Sequence, residues 1–174
     1  MSAVLSRQDI SQLLGQRPPL IENYLNLDEQ LQPNGFDLTL REVALLESSG
    51  KITVKDAERR LPELAPLAFD GLGFIDLVPG TYSITYNEIA HLPRNVMALA
   101  RPRSSLLRCG VTVGTAVWDA GYSGRSQSLL VVYNPRGFRL QRNARVVQLV
   151  FLWLSQETEG YQGVYQHENM EEIS

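Results

Sequence analysis

From position 145 to 154 the chain reads Arg-Val-Val-Gln-Leu-Val-Phe-Leu-Trp-Leu, an apolar run with Gln148 as its one internal polar residue. Such a run suits a strand buried on both faces. Shorter pieces of the same kind recur. Phe36-Asp37-Leu38-Thr39-Leu40 alternates as a strand does, and residues 41–46 extend it. Residues 81–86, Thr-Tyr-Ser-Ile-Thr-Tyr, have strong β-propensity, and 96–100 and 138–140 read as further strands. Turns punctuate them at Gln32-Pro33-Asn34-Gly35, Pro79-Gly80, Leu92-Pro93 and Asn134-Pro135-Arg136-Gly137. One helix is clear: Ser6 caps it, Asp9 completes a capping box, Ile10, Leu13 and Leu14 share a face, and Gly15 stops it. Residues 52–68 are polar, hold Pro62 and Pro66, and read as a loop or irregular excursion; 87–95 reads as a connection. The pattern predicts an all-β sandwich or jelly roll with a short N-terminal helix and a C-terminal tail.

At 174 residues the chain is most simply one domain with a substantial core. Its composition, 44% hydrophobic and 20% charged, is that of a globular protein rather than a disordered one. A net charge of −3 gives no sign of nucleic-acid or membrane-surface binding. Cys109 is the only cysteine, which excludes an intrachain disulfide and a cysteine-based zinc site within one chain. With His91 and His167 the only histidines, a zinc deaminase of the His/Cys/Cys type lacks its ligands. There is no 18-residue apolar run and no signal peptide, so the expected location is the cytoplasm.

Residues 101–134 carry the chemistry. Arg103-Ser104-Ser105-Leu106-Leu107-Arg108 sets two hydroxyls between two guanidiniums, and hydroxyls and guanidiniums both donate to phosphate oxygens. The same letters also make an ordinary turn. Asp119-Ala120-Gly121-Tyr122-Ser123-Gly124 sets one carboxylate before a glycine-rich turn with an aromatic ring. A lone Asp beside an apolar strand is expected to face a cleft, where it can orient a water or bind a sugar hydroxyl; a turn-capping Asp is the plainer reading.

Taken in order, five segments resemble the dUTPase and dCTP deaminase superfamily, most closely its archaeal-type dUTPases. They are residues 32–38 (Gln-Pro-Asn-Gly-Phe-Asp-Leu), 103–106, 119–124, 145–149 (Arg-Val-Val-Gln-Leu) and 161–166 (Tyr-Gln-Gly-Val-Tyr-Gln). The ordered set carries the likeness, since no single motif is decisive. The resemblance implies a distorted jelly roll of the β-clip kind that hydrolyses dUTP to dUMP and pyrophosphate. It implies that Asp119 holds the sugar 3′-hydroxyl and positions the attacking water, and that Tyr122 packs on the deoxyribose where a 2′-hydroxyl would clash. Arg103, Ser104, Ser105 and Gln148 would hold the triphosphate. Arg108 matches an arginine of the deaminase-like branch, and Tyr165 and Gln166 are tail contacts. Asp37 would organise the site, and Arg145 has the subunit interface as its alternative role. Mg²⁺ would ride on the triphosphate, the assembly would be a homotrimer with sites between subunits, and the acidic tail 155–174 would be mobile and close over bound nucleotide.

The departures bear on the reaction. In deaminases of this superfamily a glutamate follows the third motif; aligned back from Asn134, its place falls on Val131. No acidic residue lies between Asp119 and Glu157, and valine cannot shuttle a proton. The stretch from Asp119 to Asn134 is longer than usual around Arg125-Ser126-Gln127, and His167 replaces a usual glycine in the tail. A dCTP deaminase or bifunctional enzyme, a broader nucleotide hydrolase, and a non-catalytic nucleotide-binding relative are the rival readings.

Overall fold

The computed structural model describes residues 3–170. Helix α1 (Arg7–Leu14) is capped by Ser6, with the reciprocal Ser6–Asp9 box in place, and its buried residues Ile10 and Leu13 face the core. Strand β1 (Ile21–Glu22), helix α2 (Leu27–Gln30) and strand β2 (Leu31–Gln32) lead to the long strand β3 (Gly35–Leu46). An irregular excursion follows and ends in β4 (Leu64–Pro66). Then come β5 (Phe74–Leu77), β6 (Gly80–Tyr86), β7 (Ile89–His91) and β8 (Val96–Pro102). Helix α3 (Ser104–Arg108), β9 (Val111–Gly114), β10 (Ser123–Gly124), β11 (Gln127–Val132), β12 (Phe138–Gln141) and β13 (Arg145–Trp153) complete the order.

The main sheet runs β8-β13-β3-β6-β11-β9, with β2 and β4 also on β3, and every pairing in it is antiparallel. Strand β3 turns the corner. Its first half pairs with β13, its second half with β6, and the register shifts between Leu40 and Glu42. A bulge of this kind bends a strand and raises its twist. Beyond β9, Trp118 and Ala98 exchange both backbone hydrogen bonds, at 2.9 and 3.0 Å, so the chain returns to β8 and nearly closes the sheet. Two further small sheets, β12-β5 and β1-β7-β10, are also antiparallel. The result is an all-β, distorted jelly roll.

Strand β13 lies between β3 and β8. One face of it is fully buried as far as Phe151, while Val150 and Leu152 on the other face, and Trp153 at the end, are partly covered, short of the burial on both faces that its apolar run suggests. Val146, Val147, Leu149 and Phe151 are fully buried there. Burying each such side chain stabilises the fold by about 1.5–3 kcal/mol.

Two expectations change. Residues 87–95 hold strand β7, and α2 and α3 join α1 as helices. Each is too short for periodicity to reveal. The polar members of the alternating segment, Asp37 and Thr39, are as buried as its apolar ones. Glu88, which reads as part of a connection, explains the burial of Thr39. Its carboxylate accepts from the Thr39 backbone N–H (2.8 Å), the Thr39 hydroxyl (2.6 Å) and Gln30 Nε2 (2.7 Å). Burial raises its pKa, and those bonds oppose the rise. Among the described residues, no helix is long and apolar enough to cross a membrane.

Candidate active site

Asp37 anchors the first half of the site. Its carboxylate is buried and receives Arg103 Nε at 3.3 Å and Arg145 Nη1 at 3.4 Å. Burial raises the Asp37 pKa against the opposing pull of Arg103 and Arg145. Asp37 is Cα-paired with Gln148, and Gln148 in turn with Arg101. Directly opposed residues share a face of a sheet, so Arg101, Gln148 and Asp37 lie on one face. Gly35 belongs to the same region, because a Cβ there would meet Leu149 O at 2.3 Å and Gln148 Nε2 at 2.9 Å. Ser104, Ser105 and Arg108 lie exposed on α3, which starts directly after Arg103. Hydroxyl, amide and guanidinium donors therefore gather at one end of β13, where an anionic chain can bind.

The second half is a cavity of about 320 Å³. Trp118, Asp119, Tyr122 and Gln127 form one side; Tyr161, Tyr165 and Glu168 of the tail form another. Leu61, from the excursion after β3, also lines it. Asp119 is exposed at the cavity and follows Trp118, which the bridge to Ala98 fixes. The Asp119 carbonyl accepts from the Tyr122 N–H at 3.1 Å, so the backbone turns between them. Gly121 makes that turn at φ +83°, and a Cβ on it would lie 2.6 Å from Gly160 Cα. Tyr122 is buried, edge-on to Tyr161 with ring centroids 5.7 Å apart. Both its packing role and its place on the cavity wall are thus realised in the geometry.

The tail is strapped to this loop. Gln166 accepts from the Ser123 N–H (2.9 Å) and donates to Gly121 O (3.0 Å). The His167 N–H donates to Ser123 O at 2.7 Å, and the Arg125 N–H to Glu168 O at 2.9 Å. Arg125, in the lengthened stretch, is buried, and its guanidinium donates to the carbonyls of Asn169 (2.9 Å), Tyr86 (3.3 Å) and Asn87. Tail residues Glu171 and Glu172 lie outside the described residues.

The sequence-selected residues thus form two groups. Asp119, Tyr122 and Tyr165 line the cavity, with Gln166 beside the same loop. Arg103, Ser104, Ser105, Arg108 and Gln148 belong to the other group, and none of them lines the cavity. Three residues escaped the sequence reading. Arg101 is visible only through the register of β8 on β13. Arg125 carries no signal apart from the lengthened stretch. Glu168 is hidden in an acidic tail that reads as disordered. Val131 pairs with Thr81 and Thr112 inside the sheet and is not part of the cavity lining.

Comparisons with known proteins identify the family. A family model described as dCTP deaminase-like matches residues 4–153. A probable deoxyuridine 5′-triphosphate nucleotidohydrolase of Methanosarcina mazei is 51% identical over 168 residues, covering 96% of this chain and 98% of the relative. One of the same description from Archaeoglobus fulgidus is 48% identical, covering 97% and 99%. Among solved structures, a 2′-deoxycytidine 5′-triphosphate deaminase from Agrobacterium tumefaciens superposes with a TM-score of 0.64 at 24% identity. That match covers 87% of this chain and 48% of the other, and bears on the fold alone. On the matched span, the identity to full-length relatives and the shared fold, the chain belongs to the dCTP deaminase-like family.

Proposed function

We propose that this protein is a dUTP diphosphatase, converting dUTP and water to dUMP and pyrophosphate. One observation carries the reading: relatives sharing about half their residues with this chain over nearly the full length of both are described as probable deoxyuridine triphosphate nucleotidohydrolases. The geometry supports it. Asp119 is the loop carboxylate exposed at the cavity, suited to hold a sugar hydroxyl and orient a water. The water oxygen bonds to phosphorus, the bond to the pyrophosphate leaving group breaks, and the proton passes to the carboxylate or to solvent. Arg103, Ser104, Ser105 and Gln148 bind the triphosphate, with Asp37 holding the Arg103 guanidinium in place.

Mg²⁺ fits this donor set as an ion carried by the substrate. Among the described residues no cluster of His, Cys, Asp or Glu forms a protein cage, and Mg²⁺ commonly keeps waters and binds through substrate phosphates. When bound it neutralises phosphate charge. The two groups of residues are best joined across subunits, so the assembly proposed is a homotrimer in which one copy's cavity meets another's arginine–serine end. Deamination is disfavoured because Val131 stands at the glutamate's place and valine cannot shuttle a proton.

Replacing Asp119 by Asn tests the reading. Turnover should fall by about 10²-fold or more while dUTP affinity changes by less than about tenfold. Turnover close to that of the unaltered protein would remove Asp119 from the reaction.

A further inference from the structure

A line of hydrogen bonds crosses the floor of the cavity. Trp118 Nε1 donates to Ser126 Oγ at 2.5 Å, and Ser126 Oγ lies 3.1 Å from Tyr122 Oη. Tyr122 Oη donates to Glu168 Oε1 at 2.8 Å. Three members come from the loop that carries Asp119. The fourth comes from the tail, 46 residues beyond Tyr122. The residues on both sides of Glu168 are pinned to that loop: the His167 N–H donates to Ser123 O, the Asn169 side chain donates through Nδ2 to Arg125 O at 3.1 Å, and the Asn169 carbonyl accepts from Arg125 Nε at 2.9 Å. Gly124 leaves room for the contact: a Cβ there would lie 2.6 Å from Tyr122 Oη and 3.3 Å from Glu168 Cγ.

We propose that Glu168 is a positioning residue for the nucleoside half of the site: by accepting the Tyr122 hydroxyl it fixes the ring that borders the sugar and locks the tail onto the Asp119 loop. This rests on the dUTP diphosphatase reading for the identity of the nucleoside and for the sugar's place against Tyr122; the lock between tail and loop stands on the hydrogen bonds alone. Selection against a ribonucleotide then depends on a tail side chain, because a ring that tilts away no longer excludes the 2′-hydroxyl.

Protonation tunes the lock. Burial raises the Glu168 pKa, with the Tyr122 hydrogen bond opposing it. Burial raises the Tyr122 phenol too, with the Ser126 bond opposing and the Glu168 carboxylate adding to the rise, so Tyr122 stays the donor. The other charged or titratable groups of the packed elements are Asp119 and Arg125 of the loop, Tyr161, Tyr165 and His167 of the tail, and Arg59, stacked 5.6 Å from the Tyr165 ring centroid. A raised folded pKa means that docking is fully stabilised below the ordinary carboxylate range. The stabilisation is lost as pH rises through the raised value.

The test uses the full chain with Glu168→Ala and Glu168→Gln, measuring kcat and KM for dUTP and UTP from about pH 5 to 8, and limited proteolysis of the tail at the same pH values. Glu168→Ala should raise the KM for dUTP about tenfold with kcat within about twofold, and narrow the preference for dUTP over UTP by a similar factor. It should also speed tail cleavage. Glu168→Gln keeps an oxygen acceptor without a charge, so it should restore KM and tail protection and flatten their pH dependence. An alanine variant matching the unaltered protein in KM, selectivity and cleavage overturns the proposal. So does a glutamine variant that keeps the unaltered pH dependence. If no nucleotide is hydrolysed, the diphosphatase reading fails by itself, and cleavage alone decides: faster in the alanine than in the glutamine variant supports the lock, equal rates overturn it.

Discussion

Asp37 and Arg103 form an ion pair, Oδ2 to Nε 3.3 Å, in which the carboxylate is buried and the guanidinium stands at the start of α3. The pair ties the first sequence motif to the second. It turns a buried charge into a support for the proposed phosphate-binding end.

Asp37→Ala should therefore cost both stability and binding. It leaves Arg103 and Arg145 facing each other without their shared anion. Both side chains are partly solvent-screened, so the cost should be about 1–3 kcal/mol, below the range for a fully buried pair. Urea unfolding and the KM for dUTP check it: the midpoint should fall, and KM should rise with little loss of kcat.

Glu88 offers a test of pH dependence. Its folded pKa is raised, so its stabilising contribution is complete below the ordinary carboxylate value and is lost as pH rises through the raised one. Against Glu88→Gln, which does not titrate, the unaltered protein should have its largest stability advantage at the acid end, shrinking toward neutral pH. The amide must also point N–H groups at a donor that Glu88 now accepts, at a cost of about 1–3 kcal/mol. Thermal melts of both proteins from about pH 5 to 8 read the difference.

Gly121→Ala should release the tail. The added methyl would press on Gly160 at a positive φ that side chains rarely adopt. Protease cleavage within residues 158–170 should accelerate, with the sheet core still folded.

Complementation tests whether two copies build one site. Asp119→Asn and the Ser104→Ala, Ser105→Ala double variant should each be nearly inactive alone. If subunits are exchanged by mild unfolding and refolding, about one quarter of sites regain both intact halves in a shared-site oligomer. No recovery would mean that each chain supplies its own complete site.

The strand-rich frame was legible because β13, β6 and the Ser6 cap are local patterns, with signals within a few residues. The burial of Thr39 was not. Its partner Glu88 lies 49 residues away, beyond the reach of any local pattern. The placement of Asp119, Gly121 and Tyr122 on one loop was legible for the same reason as the frame: they lie within one turn. Glu168 and Arg125 were not, because each gains meaning only from tail docking, a contact spanning more than 40 residues. That Arg103 and Asp119 fall in different halves is a matter of tertiary placement, on which motif spacing is silent.

Product analysis tests the central claim most directly. The protein is incubated with Mg²⁺ and, separately, dUTP, dCTP, dTTP and UTP, and nucleotides, pyrophosphate and ammonia are resolved. The account predicts dUMP and pyrophosphate in equal amounts from dUTP, with little turnover of the other three. Ammonia from dCTP would contradict the argument from Val131, and absence of any product from dUTP would contradict the proposed activity itself.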